Sequence, residues 1–222
     1  MEEHIVKILE TEKVTHDVKR FRIEKPEGYS FIPGQATEVS VNSTDLKDEK
    51  RPFTFTSLNS EDTLEFTIKI YPSHNGVTKE LAKLLPGSEL IIRDIWGAIH
   101  YKGKGVFIAG GAGITPFISI FRDLSKKNEL AGNKLLFANK TKADIILEDE
   151  LNTMLGKDFI NILSEEKVEG YDYGFISEEF LKANIKDFNT NFYICGPPPM
   201  MASVQKQLAS LGVQGKSITL EI

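Results

Sequence analysis

Apolar and polar positions in the first hundred residues alternate with a short period. In Leu64-Glu65-Phe66-Thr67-Ile68-Lys69-Ile70 every second side chain is apolar, which sets one face of an extended strand against a core. Residues 5–11, 18–23, 36–41 and 53–57 are likewise rich in Val, Ile, Thr and Phe and read as strands. Pro26 with Gly28, Pro33-Gly34 and Pro86-Gly87 punctuate them as turns. Several short strands at this spacing predict an antiparallel barrel or sandwich. One stretch breaks the pattern: residues 77, 81, 84 and 85 are apolar, a helical repeat that predicts a helix over 77–85.

After about residue 103 the rhythm changes. Apolar runs at 106–109 and 134–138 are followed by helical patterns at 116–124 and 148–155. A run at 159–163 precedes a helical pattern at 177–183; another at 192–195 precedes one at 199–211, and 217–221 closes the chain as a strand. Alternating strand and helix predicts a parallel sheet covered by helices, an α/β domain. The boundary falls near residues 101–104, dividing the chain into 1–101 and 102–222.

Composition narrows the partners. The 222 residues suffice for two small cores, and a net charge of −5 argues against a nucleic-acid footprint. The longest apolar runs, 106–109 and 117–121, are too short to span a bilayer. The opening MEEHIVKILE lacks the basic start and apolar stretch of a secretory signal, so the cytoplasm is the expected location. Cys195 is the single cysteine, which excludes an internal disulfide and a cluster needing several thiolates. His4, His16, His74 and His100 lack metal-ligand spacing, and no metal is expected.

Three segments carry chemistry: RPFTFTS (51–57), GGAGITPF (110–117) and CGPPPMM (195–201). In the second, a strand runs into Gly110, Gly111 and Gly113, and Thr115 and Pro116 open a helix. Glycines let backbone approach a pyrophosphate, and a helix N-terminus offers free N–H groups to it. Thr115 suits a cap and Pro116 the first helical turn. Tight packing at a strand–helix turn would ask for the same glycines, and both readings stand. FTFT alone reads as an ordinary alternating strand, and Cys195 alone as a buried cysteine ending one. The Gly-Pro-Pro-Pro beside it specifies a rigid turn.

In this order, the three segments resemble the ferredoxin–NADP reductase family over almost the whole chain, with Thr-Pro in GGAGITP where G-x-G-x-x-G would finish. The resemblance implies an N-terminal antiparallel (Greek-key) β-barrel that binds FAD, followed by the α/β domain for NAD(P)H. FAD rather than FMN is the family default. Within Arg51-Pro52-Phe53-Thr54, Arg51 would bind the flavin pyrophosphate and Thr54 would offer its hydroxyl and N–H near N5, the hydride-accepting atom. Phe53 stands where tyrosine is usual, which keeps ring packing and loses a phenolic hydrogen bond. Lys69, Ile70 and Tyr71 with Gly76, Val77 and Thr78 are similar to the second flavin segment. There the N–H groups of 76–78 would receive phosphates, Tyr71 and the Ile70 backbone would meet the ribityl chain, and Lys69 would lie near the nicotinamide nucleotide. His74 is either solvated or at the adenine end.

By the same resemblance Gly111, Gly113, Thr115, Pro116, Cys195, Gly196, Pro198 and Met200 hold the pyridine nucleotide. Cys195 would lie against the nicotinamide as a spacer and transition-state contact, since no histidine motif partners it for thiol catalysis. Glu221 matches a near-terminal glutamate that relays a proton, completing a catalytic set of Thr54, Cys195 and Glu221. Ile222 replaces the terminal aromatic of plant-type enzymes and would leave the nicotinamide site more open. Trp96 is expected only to pack.

NADP-dependent relatives show Ser-Arg where this chain has Ser164-Glu165, and a glutamate there repels a 2′-phosphate. Lys140 and Lys142 argue the other way, while residues 136–141 resemble NADH-dependent cytochrome reductases. NADH is favoured over NADPH. With no iron–sulfur or haem ligand set, electrons are expected to leave to a separate acceptor. A flavodoxin or ferredoxin comes first, then free flavin, a cytochrome or an oxygenase component. A flavin-binding subunit or sensor without turnover is the alternative of a different class. No membrane span is expected, and the expected oligomeric state is a monomer.

Overall fold

The computed structural model describes residues 2–71, 76–97 and 99–220. His74, Glu221 and Ile222 lie outside the described residues. The chain clusters into two compact units. One runs to His100 and takes in Thr115–Asp123; the other comprises Tyr101–Ile114 and the chain from Leu124 onward.

The first unit holds strands β1 (His4–Lys13), β2 (Val18–Glu24), β3 (Ala36–Val41), β4 (Arg51–Thr54), β5 (Thr63–Lys69) and β6 (Glu89–Trp96), with helix α1 (Val77–Leu81) between the last two. They form one sheet in the order β4-β3-β6-β1-β2-β5, every neighbouring pair antiparallel. The ladder does not run all the way round. Its edge strands meet at a single isolated bridge, Phe55↔Phe66, so the expected barrel is an open sheet joined at one point. Alternate side chains Phe21, Ile23, Leu64 and Phe66 fill the interior with Ile8, Val39, Leu90 and Ile92. Phe55 lies at the centre of an aromatic group, stacked on Phe31 at 4.3 Å and 5.2 Å from Phe66.

Three elements differ from the sequence reading. Strand β6 is additional: Leu90, Ile91 and Ile92 are consecutive and buried, because β6 lies between β3 and β1 and shows no half-solvated alternation. Its Arg93 is 2% exposed. The guanidinium donates to Glu3 Oε1 (2.7 Å), Ser40 Oγ (3.0 Å) and the Lys47 carbonyl (3.0 Å), pinning the 42–50 loop that leads into Arg51. Helix α1 stops at Leu81 rather than residue 85, because Lys83 and Leu84 donate three residues back and Pro86 restricts what precedes it. Strand β4 starts at Arg51 and leaves its ladder at Thr54. Trp96 is 43% exposed rather than packed.

In chain order the second unit's elements are β7 (Gly105–Gly110), α2 (Thr115–Lys126, mostly grouped with the first unit), β8 (Lys134–Asn139), α3 (Glu148–Leu155), β9 (Phe159–Leu163), β10 (Asp172–Tyr173), α4 (Glu178–Asn184), β11 (Asn191–Cys195), α5 (Pro198–Ser210) and β12 (Ile218–Leu220). The sheet order is β10-β9-β8-β7-β11-β12, all parallel. Ile108, Leu136, Ile162 and Ile194 from the strands pack with Phe180, Leu181, Val204 and Leu208 from α4 and α5. The chain builds outward from β7 through β10 and then returns to place β11 on β7's other side. The strand order therefore reverses between β7 and β11, the position where open α/β sheets bind ligands.

Candidate functional site

Arg51 begins edge strand β4, paired on one side only, through Val39↔Arg51 and Glu38↔Pro52. Proline is tolerated there because an edge strand can spare an N–H. The Arg51 guanidinium is half-exposed, donates to the Lys50 carbonyl at 2.6 Å and lies 3.6 Å from a Glu49 carboxylate oxygen. An exposed pair of this kind contributes roughly 0–1 kcal/mol, so a phosphate can displace it. Phe53 packs against the interior of the sheet with its ring 6.4 Å from that of Phe66, and Thr54 is buried.

In the second flavin segment, Ile70 is partly buried, its N–H donates to the Asp17 carbonyl at 2.7 Å, and Tyr71 is exposed. Lys69, expected near the nicotinamide nucleotide, pairs with Asp17 at 2.8 Å. Burial pushes the Asp17 carboxyl up, but the hydrogen bond and charge of Lys69, with help from Thr15, outweigh it and hold the group below its ordinary value. Gly76 precedes α1 without a side-chain cap and with open space around its Cα, and the first N–H groups of a helix have no intrahelical partner. With only five residues, α1 contributes N–H donors rather than a substantial dipole. An exposed guanidinium with a weak local partner and an open run of N–H donors fit the phosphates of a flavin dinucleotide.

In the second unit the two glycine-containing turns meet. Cys195 pairs with Ala109 at the carboxyl ends of β11 and β7. A Cβ on Gly113 would come within 2.3 Å of the Cys195 carbonyl oxygen and 2.6 Å of the Gly196 Cα. On Gly110 it would meet the Met200 sulfur at 2.4 Å and Pro197 at 3.0 Å; on Gly196 it would lie 3.0 Å from the Gly110 nitrogen. Gly113, which faces backbone, is thus required by packing of one turn on the other, the plainer of the two readings, whereas Gly110 and Gly196 come closest to the flexible Met200 side chain. Gly111 is different: its φ of +53° is left-handed and nothing lies within 4 Å of its would-be side chain. Gly111 is the position in this turn with room for a ligand's phosphate. Thr115 and Pro116 are the first two residues of α2, and Pro198 opens α5. Cys195 is buried, and Met200 packs partly into the core. Gly110 and Pro197 were not anticipated as site residues; their neighbours gave the signal, since each adjoins a predicted one.

At the end of β9, Ser164 N–H donates to the Asn139 carbonyl and Glu165 N–H to the Lys140 carbonyl. Glu165 and Lys140, which argued for opposite nucleotides, form an ion pair at 3.0 Å. The hydrogen bond and charge of Glu165 raise the Lys140 ammonium above its ordinary value. Lys142 is raised by Tyr171 and by Glu148, its cation lies 5.3 Å from the Tyr171 ring, and its N–H is taken by Glu166. Both cations therefore have carboxylates beside them.

Residues 5–101 match the family described as Oxidoreductase FAD-binding domain, and residues 107–206 match Oxidoreductase NAD-binding domain. NADH-cytochrome b5 reductase 1 of Eremothecium gossypii is 31% identical over 221 residues, spanning 90% of this chain and 76% of that protein. Nitrate reductase [NADH] 1 of Arabidopsis thaliana is 29% identical over 248 residues, 95% of this chain and 27% of the relative. Two solved structures show the same fold. The cytochrome b5 reductase domain of Ulva prolifera nitrate reductase has a TM-score of 0.85 at 23% identity, covering 100% of this chain and 97% of that one. A ferredoxin NADP+ reductase from Neisseria gonorrhoeae has a TM-score of 0.85 at 20% identity, covering 100% and 98%. The chain belongs to the ferredoxin–NADP reductase family and is an FAD-dependent NAD(P)H oxidoreductase. No helix among the described residues is long and apolar enough to cross a membrane.

Proposed function

We propose that the chain oxidises NADH and delivers the electrons, through its FAD, to a separate haem protein of cytochrome type. FAD, when bound, supplies a ring that accepts a hydride and can release electrons singly. The Glu165 carboxylate carries the NADH reading, because it stands at the end of β9 beside Lys140, where a 2′-phosphate would meet its negative charge. The names of the relatives, NADH-cytochrome b5 reductase and NADH nitrate reductase, support a cytochrome acceptor over the flavodoxin or ferredoxin expected first.

Residues 1–101 form the FAD-binding domain and 102–222 the NAD(P)-binding domain in this reading. Arg51 binds flavin phosphate, Thr54 holds the flavin edge at N5, and the N–H groups at 76–78 receive phosphate oxygens. Tyr71 lies along the ribityl chain. Gly111 admits the nucleotide pyrophosphate, and Ser164 and Glu165 hold the adenosine ribose. Cys195 is a small neutral contact for the nicotinamide, held at the end of β11 by the packing of Gly113 on its carbonyl. Glu221 remains the proposed proton relay. Lys69, paired with Asp17, acts on the nucleotide only if that pair opens.

Anaerobic titration of the yellow protein with NADH and with NADPH tests the reductase reading; bleaching is expected with NADH at roughly tenfold higher kcat/KM, about 1.4 kcal/mol of discrimination. Failure to bleach with either nucleotide would sink it in favour of a binding subunit. Oxidised cytochrome b5, flavodoxin, ferredoxin and free flavin are then compared as acceptors. Faster turnover with any of the last three overturns the cytochrome assignment.

A further inference from the structure

We propose that Arg122 is a positioning residue for the flavin-contacting turn at 54–57, an inference that rests on the role given to Thr54. Strand β4 leaves its ladder at Thr54, and among the described residues only the single bridge Phe55↔Phe66 follows. The turn's geometry must therefore come from elsewhere. Arg122, on α2, donates from one guanidinium nitrogen to the Thr56 carbonyl and to a Glu65 carboxylate oxygen, both at 2.7 Å. The same Glu65 oxygen accepts the Thr56 hydroxyl at 2.8 Å, and the backbone closes the clasp. Thr56 N–H donates to the Glu65 carbonyl at 2.8 Å, and Glu65 N–H to the Ser57 hydroxyl at 2.9 Å.

Ser119, one turn earlier on the same face of α2, accepts from Gly34 N–H at 3.1 Å. The next residue, Gln35, gives its carbonyl to Phe55 N–H at 3.1 Å. One helix face thus grips the backbone on both sides of Phe55. Thr56 and Ser119 are fully buried and Arg122 and Glu65 partly buried, which strengthens these charge-assisted bonds. The role given to Thr54 requires its N–H and hydroxyl to be fixed at the flavin edge, and the clasped Thr56 is only two residues further along the same turn.

The test compares Arg122→Gln, Arg122→Lys and Arg20→Gln in the FAD-loaded protein. Arg20 lies 3.8 Å from the other Glu65 oxygen, pairs mainly with Glu12, and has no hydrogen bond to Thr56 among the described residues, so it reports the loss of Glu65's second charge partner without the Thr56 contact. Arg122→Gln is expected to change the visible circular dichroism of the bound flavin and to lower kcat for NADH oxidation about tenfold or more. KM for NADH should stay within about twofold, because the nucleotide's own contacts are intact. Arg122→Lys should recover part of both effects, and Arg20→Gln should keep the wild-type dichroism and kcat. A lower Tm for Arg122→Gln with wild-type flavin dichroism and kcat overturns the proposal, as does an equal effect of Arg20→Gln. If Arg122→Gln does not fold, Arg122→Lys against Arg20→Gln carries the same comparison. A wild-type protein that NADH cannot reduce would instead strike the reductase reading beneath it.

Discussion

Replacing Gly113 by alanine puts one methyl group where two turns already touch. The new Cβ would lie 2.3 Å from the Cys195 carbonyl oxygen and 2.5 Å from its carbon, more than 1 Å inside ordinary contact of about 3.5 Å. Both are backbone atoms in a parallel ladder with β7, so no rotamer change relieves the clash and the turns must part. Overpacking of this severity costs about 3 kcal/mol, the upper end of the usual range. Gly113 has no positive φ, so alanine recovers about 0.5–1 kcal/mol by restricting the unfolded chain. The net loss is about 2 kcal/mol, a fall of about 4–8 °C in Tm for a chain of this length. Because Cys195 moves with its carbonyl, the KM for NADH should rise as well. Gly111→Ala is the companion variant: it meets nothing within 4 Å but forces alanine to a φ of +53°, a cost of about 1–2 kcal/mol with no displacement of Cys195. Thermal unfolding and steady-state kinetics on both variants decide the matter. A Gly113→Ala protein within about 1 °C of wild type and with unchanged NADH kinetics refutes the interlocked-turn argument.

Glu165→Arg breaks the pair with Lys140 and sets two cations at the ribose position, so the kcat/KM ratio of NADPH to NADH should rise about tenfold; no gain with NADPH would mean the ribose lies elsewhere. Lys69→Met removes the partner that depresses the Asp17 carboxyl. A depressed carboxyl stabilises the fold above its unfolded value of about 3.9 and stops doing so as pH falls through the folded value. The Tm gap between wild type and variant should therefore be full near pH 6 and close below about pH 4. A gap that persists in strong acid counts against the pair. Arg93→Met strands the Lys47 carbonyl and the Ser40 hydroxyl and frees the loop before Arg51, at about 1–3 kcal/mol and a Tm lower by at least about 2 °C, since its partner Glu3 is half-exposed and keeps its water. FAD should also dissociate more readily, and unchanged FAD affinity in fluorescence titration would separate that loop from flavin binding.

Elements with a clean period were legible in the sequence. Residues 36–41, 148–155 and 159–163 lie where the pattern put them: the helix 148–155 buries one face through Leu151 and Leu155, and the two strands are short apolar runs, 36–41 following the Pro33-Gly34 turn. What escaped lacked that contrast. Strand β6 hides in the middle of its sheet, where Leu90–Ile92 are buried together and a charged Arg93 is buried beside them. Strand β10, Asp172–Tyr173, is exposed at an edge and has no apolar alternation to read. At the site, sequence singled out the three segments but could not say what each glycine was for. Distinguishing Gly111 from Gly113 needed the backbone of residues 195–196, more than eighty positions away in the chain. Likewise Lys140 and Glu165 looked like competing signals until the parallel pairing of β8 and β9 put them side by side.

The grouping of Thr115–Asp123 with the first unit has a consequence for how such proteins can be cut and recombined. A gene severed near residue 101 would give a flavin half lacking the helix that receives Gly34 N–H and clasps Thr56, and Ile120 would be missing from beside Gly34. The other half would carry that helix with its buried Ser119 and Ile120 stripped of their Gly34 contacts. Fusions that transplant one cofactor module onto a new partner should therefore exchange α2 along with the sheet it grips, as a discontinuous insert rather than a single cassette.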